Sequence, residues 1–130
     1  LKLLGADVTV AARRKSDLAV AKNHGLVPLR ITYRDGVSSL SGLTDGYDVI
    51  FNTVPYWLFD AGLAGRINRR TLFVDLASAP GGIDVRAAKE HGVHVIWALS
   101  LPGKCAPDTA GQIIADTLLS EYLPEGGKGR

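Results

Sequence analysis

The 130 residues include no methionine and a single cysteine, Cys105. One cysteine excludes an internal disulfide and a cysteine-built zinc site, and it fits a reducing compartment. No apolar run approaches the ~20 residues needed to cross a bilayer, and no charged-then-apolar leader precedes a small-residue cleavage site. The expectation is a soluble, cytoplasmic protein with no membrane partner. An excess of one charge is lacking too: 15 Lys and Arg stand against 13 Asp and Glu, a formal net charge of +2. Such a balance gives no general footprint for nucleic acid or a membrane surface, so any basic function must be local. A further absence is the phosphate-binding G-x-G-x-x-G pattern, which occurs nowhere in the chain. The chain opens on Leu1-Lys2-Leu3-Leu4-Gly5, apolar residues followed by a helix-stopping glycine. That start suggests a fragment whose first helix is cut short.

What is present is a chain about one domain long, enough to bury roughly two-thirds of the surface it exposes when unfolded. Short apolar runs rich in β-branched residues recur at residues 8–12, 26–31, 48–53, 71–76 and 93–99. They are expected to be strands buried on both faces, as in a parallel sheet. Helical segments are expected between and after them, at 16–24, 58–67, 85–91 and 109–122. Alternating strand and helix indicates an α/β fold, most simply a doubly wound, mostly parallel sheet. Two helix-to-strand junctions, AKNHGLVPL at 21–29 and AKEHGVHVI at 88–96, share His-Gly punctuation. Gly25 and Gly92 suit the left-handed residue after a helix, and His24 and His91 suit the negative helix end. The last residues, PEGGKGR, are expected to form a flexible tail at 124–130, leaving 1–123 as the domain.

The first run leads at its end into Ala12-Arg13-Arg14-Lys15-Ser16, with no acid until Asp17. In dinucleotide-binding folds an acid at the end of the second strand bonds the ribose 2′-hydroxyl of NAD, whereas arginine accommodates the 2′-phosphate of NADP. Charge-assisted bonds of this kind are worth roughly 1.5 to 3 kcal/mol each. Arg13 and Arg14 therefore point to NADP in preference to NAD. The other reading is a solvated basic turn in which Ser16 caps the following helix. On the NADP reading, the glycine loop and the first strand lie upstream of Leu1, and the domain here is partial.

Three later stretches end strands in residues suited to ligand contact. In DVIFNTVPYW, Pro55 stops the strand and places Asn52 and Thr53 at its carboxyl end, where open α/β sheets bind ligands. A turn in which Asn52 satisfies its own backbone competes with that reading. TLFVDLASAPGGID runs through Asp75 and Ser78 into Pro80-Gly81-Gly82. The two glycines allow close approach of a ligand or a neighbouring domain, or simply a tight turn. LPGKCAPDTAGQIIADTLL, residues 101–119, is expected to be a loop followed by a helix capped by Asp108 or Thr109 after Pro107. Lys104 is either a solvated loop cation or a group that binds a carboxylate. The three histidines are accounted for by two helix ends and a strand, Cys105 by a small buried thiol, and Trp57 and Trp97 by core or domain-interface packing.

NTVP at 52–55, DLASAPGGID at 75–84 and LPGKCAPDTAGQIIADTL at 101–118, in that order and spacing, resemble the cofactor-binding domain of the dipicolinate synthase A subunits. The resemblance covers nearly the whole chain. It implies a Rossmann-like domain lacking its first strand and glycine loop, in an enzyme that oxidises a dihydrodipicolinate-type intermediate to dipicolinate with NADP. Carried onto this chain, Arg13, Arg14, Ser16, Asn52, Thr53, Val54 and Pro55, with Ala77 and Ser78, become the expected cofactor-binding residues. Leu101, Pro102, Gly103, Lys104 and Thr109 become the expected contacts of a small dicarboxylate substrate. Further copies of the chain and a flavoprotein-like B subunit are the implied partners, in the cytoplasm of the mother cell of a spore former. Neither a catalytic base nor a metal is assigned, and the isolated piece is expected to be inactive. Rival readings are the cofactor domain of a 2-hydroxyacid dehydrogenase relative, a receiver domain, and a non-catalytic assembly module. The receiver needs a phosphoacceptor aspartate at the end of its third strand, where this chain has Asn52 and Thr53.

Overall fold

The computed structural model describes residues 1–34 and 37–122; the expected tail at 124–130 lies outside them. Among the described residues seven strands form: β1 (Thr9–Ala12), β2 (Val27–Arg30), β3 (Tyr33–Arg34), β4 (Val37–Ser38), β5 (Val49–Asn52), β6 (Leu72–Asp75) and β7 (His94–Trp97). The helices are α1 (Lys15–Asn23), α2 (Ala61–Ala64), α3 (Val85–Glu90), α4 (Leu101–Cys105) and α5 (Pro107–Tyr122). β1 pairs in parallel with β2, Thr9 opposite Val27, and β5, β6 and β7 form a second parallel set with β6 in the middle. β3 and β4 make a small antiparallel hairpin. The fold is α/β with parallel sheets, as the alternating pattern requires.

The core gathers where β6 lies beneath its helices. Phe73 is fully buried and meets Phe59 edge to face, with ring centroids 5.1 Å apart. Ile67, Ile83, Val93 and Leu40 close around them, while Ala64, Ala87 and Ala88 let α2 and α3 approach the sheet closely. Both helices start on an aspartate: Leu63 N donates to Asp60 at 2.9 Å and Ala87 N to Asp84 at 2.9 Å. Such caps satisfy backbone donors that a helix start leaves unpaired. At the carboxyl ends of α1 and α3, Gly25 and Gly92 take positive φ, 68° and 76°, directly after His24 and His91. Both His-Gly junctions therefore stop their helices as expected.

Several expectations need correction. Among the described residues only β6 is largely buried. β2 and β7 are edges, β1 and β5 each pair on one side, and Val27, Phe51 and Ile96 are exposed. The helix expected at 58–67 shrinks to Ala61–Ala64, because Phe59 is held extended in a bridge to Ile83. Phe59 N donates to Gly82 O and Asp84 N to Phe59 O, each at 2.9 Å, which is incompatible with helix there. Ser16 does not cap α1: the helix begins at Lys15 with Arg14 in the cap position. The expected loop at 101–104 is the helix α4, and α5 starts at Pro107, so Asp108 and Thr109 lie inside its first turn rather than at its cap. A proline suits that first position, since its missing N–H would have no helical partner. Cys105 is exposed rather than buried, and Trp57 and Trp97, about half exposed, lie outside the core, which leaves only the domain-interface alternative for them.

Candidate functional site

The carboxyl ends of β1, β5 and β6 carry the residues of interest. β1 runs from Ala12 directly into Arg13 and Arg14, both exposed. Arg14 Nε lies 2.9 Å from Asp17 Oδ2, three residues on. That hydrogen bond, with the carboxylate's charge, pushes the guanidinium pKa above its ordinary value.

At the end of β5 the Asn52 amide is buried and fully engaged. Its Nδ2 donates to Val54 O at 2.9 Å and to Asp75 Oδ1 at 2.8 Å, and its Oδ1 accepts from Val54 N at 3.1 Å. The turn-forming reading of Asn52 is therefore realised. Its side chain shapes the bend, which leaves Thr53 and Pro55 exposed and Val54 half-buried.

Asp75, ending β6, is the hub beneath this turn. Its carboxylate is 2% exposed and accepts from Asn52, from Ala77 N at 3.1 Å, and from Gly82 N at 2.7 Å. The Gly81-Gly82 pair is explained by this network. A Cβ on Gly81, whose φ is 83°, would sit 2.9 Å from Asp75 Oδ2, and one on Gly82 would collide with the Asn52 amide. The glycines make room for two side chains of the chain itself. Ala77 is buried and its carbonyl accepts from Trp97 Nε1 at 2.9 Å, while Ser78 is exposed. Asp75 thus ties the end of β5 to the β6–α3 loop, and the Trp97 indole ties that loop to β7.

An open cleft of about 680 Å³ spans the ends of β1 and β5. Ala11, Ala12, Arg13, Arg14 and Asp17 line one side, with Ile31, Thr53, Val54 and Leu58 completing it. Tyr47 Oη, donating to Thr9 Oγ1 at 3.3 Å, bridges the same two strand regions. Among the expected cofactor residues, the structure brings Arg13, Arg14, Thr53 and Val54 to one surface. Asn52 and Ala77 lie under it in the Asp75 network, and Ser16, Pro55 and Ser78 are outside its lining. Leu101, Gly103, Lys104 and Thr109 belong to α4 and α5 and do not line the cleft; Pro102 is placed by its backbone in α4. Asp17 and Asp75 were not among the expected site residues. The i, i+3 spacing of Arg14 and Asp17 is the signal for the first, while nothing local distinguishes Asp75 from any strand-end acid.

Among the described residues no three His, Cys, Asp or Glu side chains are grouped to hold a metal, and no helix is long and apolar enough to cross a membrane. No family model matches the chain. The A subunit of dipicolinate synthase from Bacillus subtilis (strain 168) is 38% identical to it over 128 residues, 96% of this chain. The chain is related to the dipicolinate synthase A subunits. The crystal structure of the Bacillus halodurans protein superposes with a TM-score of 0.78 at 34% identity, covering 95% of this chain. The Bacillus subtilis structure gives 0.77 at 37% identity, covering 92%. The chain spans 41% of the curated Bacillus subtilis protein, and 41% and 38% of the two solved chains. Homology of this extent supports a related dinucleotide-binding domain.

Proposed function

We propose that this chain is the cofactor-binding part of an NADP-dependent oxidoreductase that oxidises a dihydrodipicolinate-type dicarboxylate to dipicolinate. The observation that carries the proposal is the cleft in which Arg13 and Arg14, at the tip of β1, face Thr53 and Val54 at the tip of β5. Open α/β sheets bind dinucleotides at the carboxyl ends of their strands, where the strand order reverses. In the doubly wound order 3-2-1-4-5-6, strands 2 and 3 are separated from strands 4, 5 and 6 by strand 1. The sets observed here, β2-β1 and β5-β6-β7, are consistent with that division. On this reading β1 and β5 flank a first strand, with its glycine loop, that the described residues do not supply. Activity then requires that element, and the chain by itself is inactive.

The donor set fits the adenosine end of NADP. Two guanidinium groups in an exposed cleft give charge-assisted, bidentate bonds to a phosphate, which a 2′-hydroxyl cannot exploit to the same degree. When bound, NADP supplies a hydride acceptor. The residues of this chain supply position. Asn52 and Asp75 hold the β5 and β6 loops in register, Thr53 and Val54 present a backbone and hydroxyl surface, and buried Ala77 and exposed Ser78, outside the cleft lining, are proposed to support the cofactor site from the loop after β6. Lys104 and Thr109, with Leu101, Pro102 and Gly103, are proposed to meet the substrate's carboxylates. Ser16 and Pro55 are proposed to act at the margins of the cofactor site. The wider proposal is a cytoplasmic enzyme of the sporulating mother cell, assembled from copies of this protein with a flavoprotein-like B subunit.

The test is a comparison of NADP and NAD binding to the full-length protein and to its Arg13→Ala/Arg14→Ala variant. Loss of a charge-assisted contact predicts NADP binding weakened by about tenfold or more, with NAD changed far less. Equal losses for both cofactors would remove the 2′-phosphate assignment.

A further inference from the structure

Among the described residues the cleft holds one acid. Asp17 lines it together with Arg13, Arg14, Thr53 and Val54, and its carboxylate is already bonded to Arg14 at 2.9 Å. We propose that Asp17 is a specificity-determining residue of this cleft, competing with a 2′-phosphate for Arg14 and so restraining the preference for NADP over NAD. The proposal rests on the 2′-phosphate reading given above.

The charges at the site are few. Arg13 and Arg14 contribute +2, Asp17 contributes −1, and the other lining residues are uncharged, leaving +1 for an incoming ligand. The Arg14 side chain is 79% exposed and that of Asp17 39%. Packing therefore does not fix the guanidinium, whereas the bond to Asp17 orients it along the first turn of α1. Arg13 forms no ion pair among the described residues, so it stands ready for an anion. A guanidinium has five donors, and those of Arg14 not bonded to Asp17 can still reach a phosphate. The carboxylate nonetheless opposes that approach, because a phosphate monoester carries about −1.5 to −2 charge at pH 7. Toward a ribose with a free 2′-hydroxyl the same carboxylate is an acceptor, the role an acid plays in NAD sites. One residue thus disfavours the phosphorylated ribose and favours the unphosphorylated one.

The experiment titrates 2′,5′-ADP and 5′-ADP by calorimetry into the full-length protein, its Asp17→Asn variant and its Arg13→Ala variant. Asp17→Asn is expected to tighten 2′,5′-ADP about threefold, the scale of an exposed ion pair. 5′-ADP should be unchanged or weaker. The gain should shrink at high salt, as befits charges that water reaches. If Arg13→Ala weakens 2′,5′-ADP selectively but Asp17→Asn leaves it unchanged, weakens it, or tightens both ligands alike, Asp17 has no such role and the 2′-phosphate reading survives. If the unaltered protein and Arg13→Ala bind the two ligands alike, the 2′-phosphate reading fails and the role of Asp17 fails with it.

Discussion

At the scale of single residues, the group of greatest structural consequence is Asp75 rather than any arginine. Its buried carboxylate answers three donors from two loops: the Asn52 amide, Ala77 N and Gly82 N. Replacing it with alanine strands all three, and a buried donor left unsatisfied costs about 1 to 3 kcal/mol. Asp75→Ala should therefore lose about 3 kcal/mol in urea unfolding, while Ser78→Ala, exposed three residues on, should stay within about 0.5 kcal/mol. Similar losses in the two variants would show that the network does not hold the loops. Lys104 poses a question of ligand rather than stability, since it is exposed on α4. Lys104→Ala is expected to raise the KM for the dicarboxylate with little change in kcat, and an unchanged KM would return it to the role of a solvated cation. The position of the arginines was legible in the sequence, because the apolar run ending at Ala12 puts them at a strand tip. Asp75 was not, because its role depends on donors from residues 52 and 82 that only the fold brings together.

At the scale of elements, the strands were legible for a simple reason. Each of the five parallel strands is a short, mostly apolar run, and each forms within two residues of its expected ends. The helices obeyed less uniformly. α1 and α3 follow their capping glycines, whereas α2 is cut to one turn because tertiary pairing of Phe59 with Ile83 overrides local preference. α4 was hidden by Pro102 and Gly103, residues that disfavour a helix interior but are tolerated in a single turn. The hairpin of β3 and β4 and the 3-10 segment Ser39–Leu43 carry no periodicity long enough to read, yet they deliver Leu40 to the core. α3 gives the cleanest test at this scale. Its Asp84 cap accepts from Ala87 N, and both Ala87 and Ala88 are buried against the sheet. Asp84→Ala should destabilise the protein by about 1 kcal/mol. A loss below about 0.3 kcal/mol would mean that packing alone holds the start of this helix.

At the scale of the molecule, two parallel sets of strands share one cleft, and the residues around it come from segments far apart in sequence, 11–17, 31 and 53–58. That convergence, with 38% identity to a dipicolinate synthase A subunit over 96% of the chain, is what makes a cofactor site the best account of the cleft. NADP is proposed to bind there, rather than along α4 and α5. Hydrogen exchange of the full-length protein with and without NADP tests it most directly. Added protection is expected at residues 11–17 and 52–58, with residues 101–116 little changed until substrate is also present. Protection confined to 101–116, with the ends of β1 and β5 exchanging as before, would contradict it.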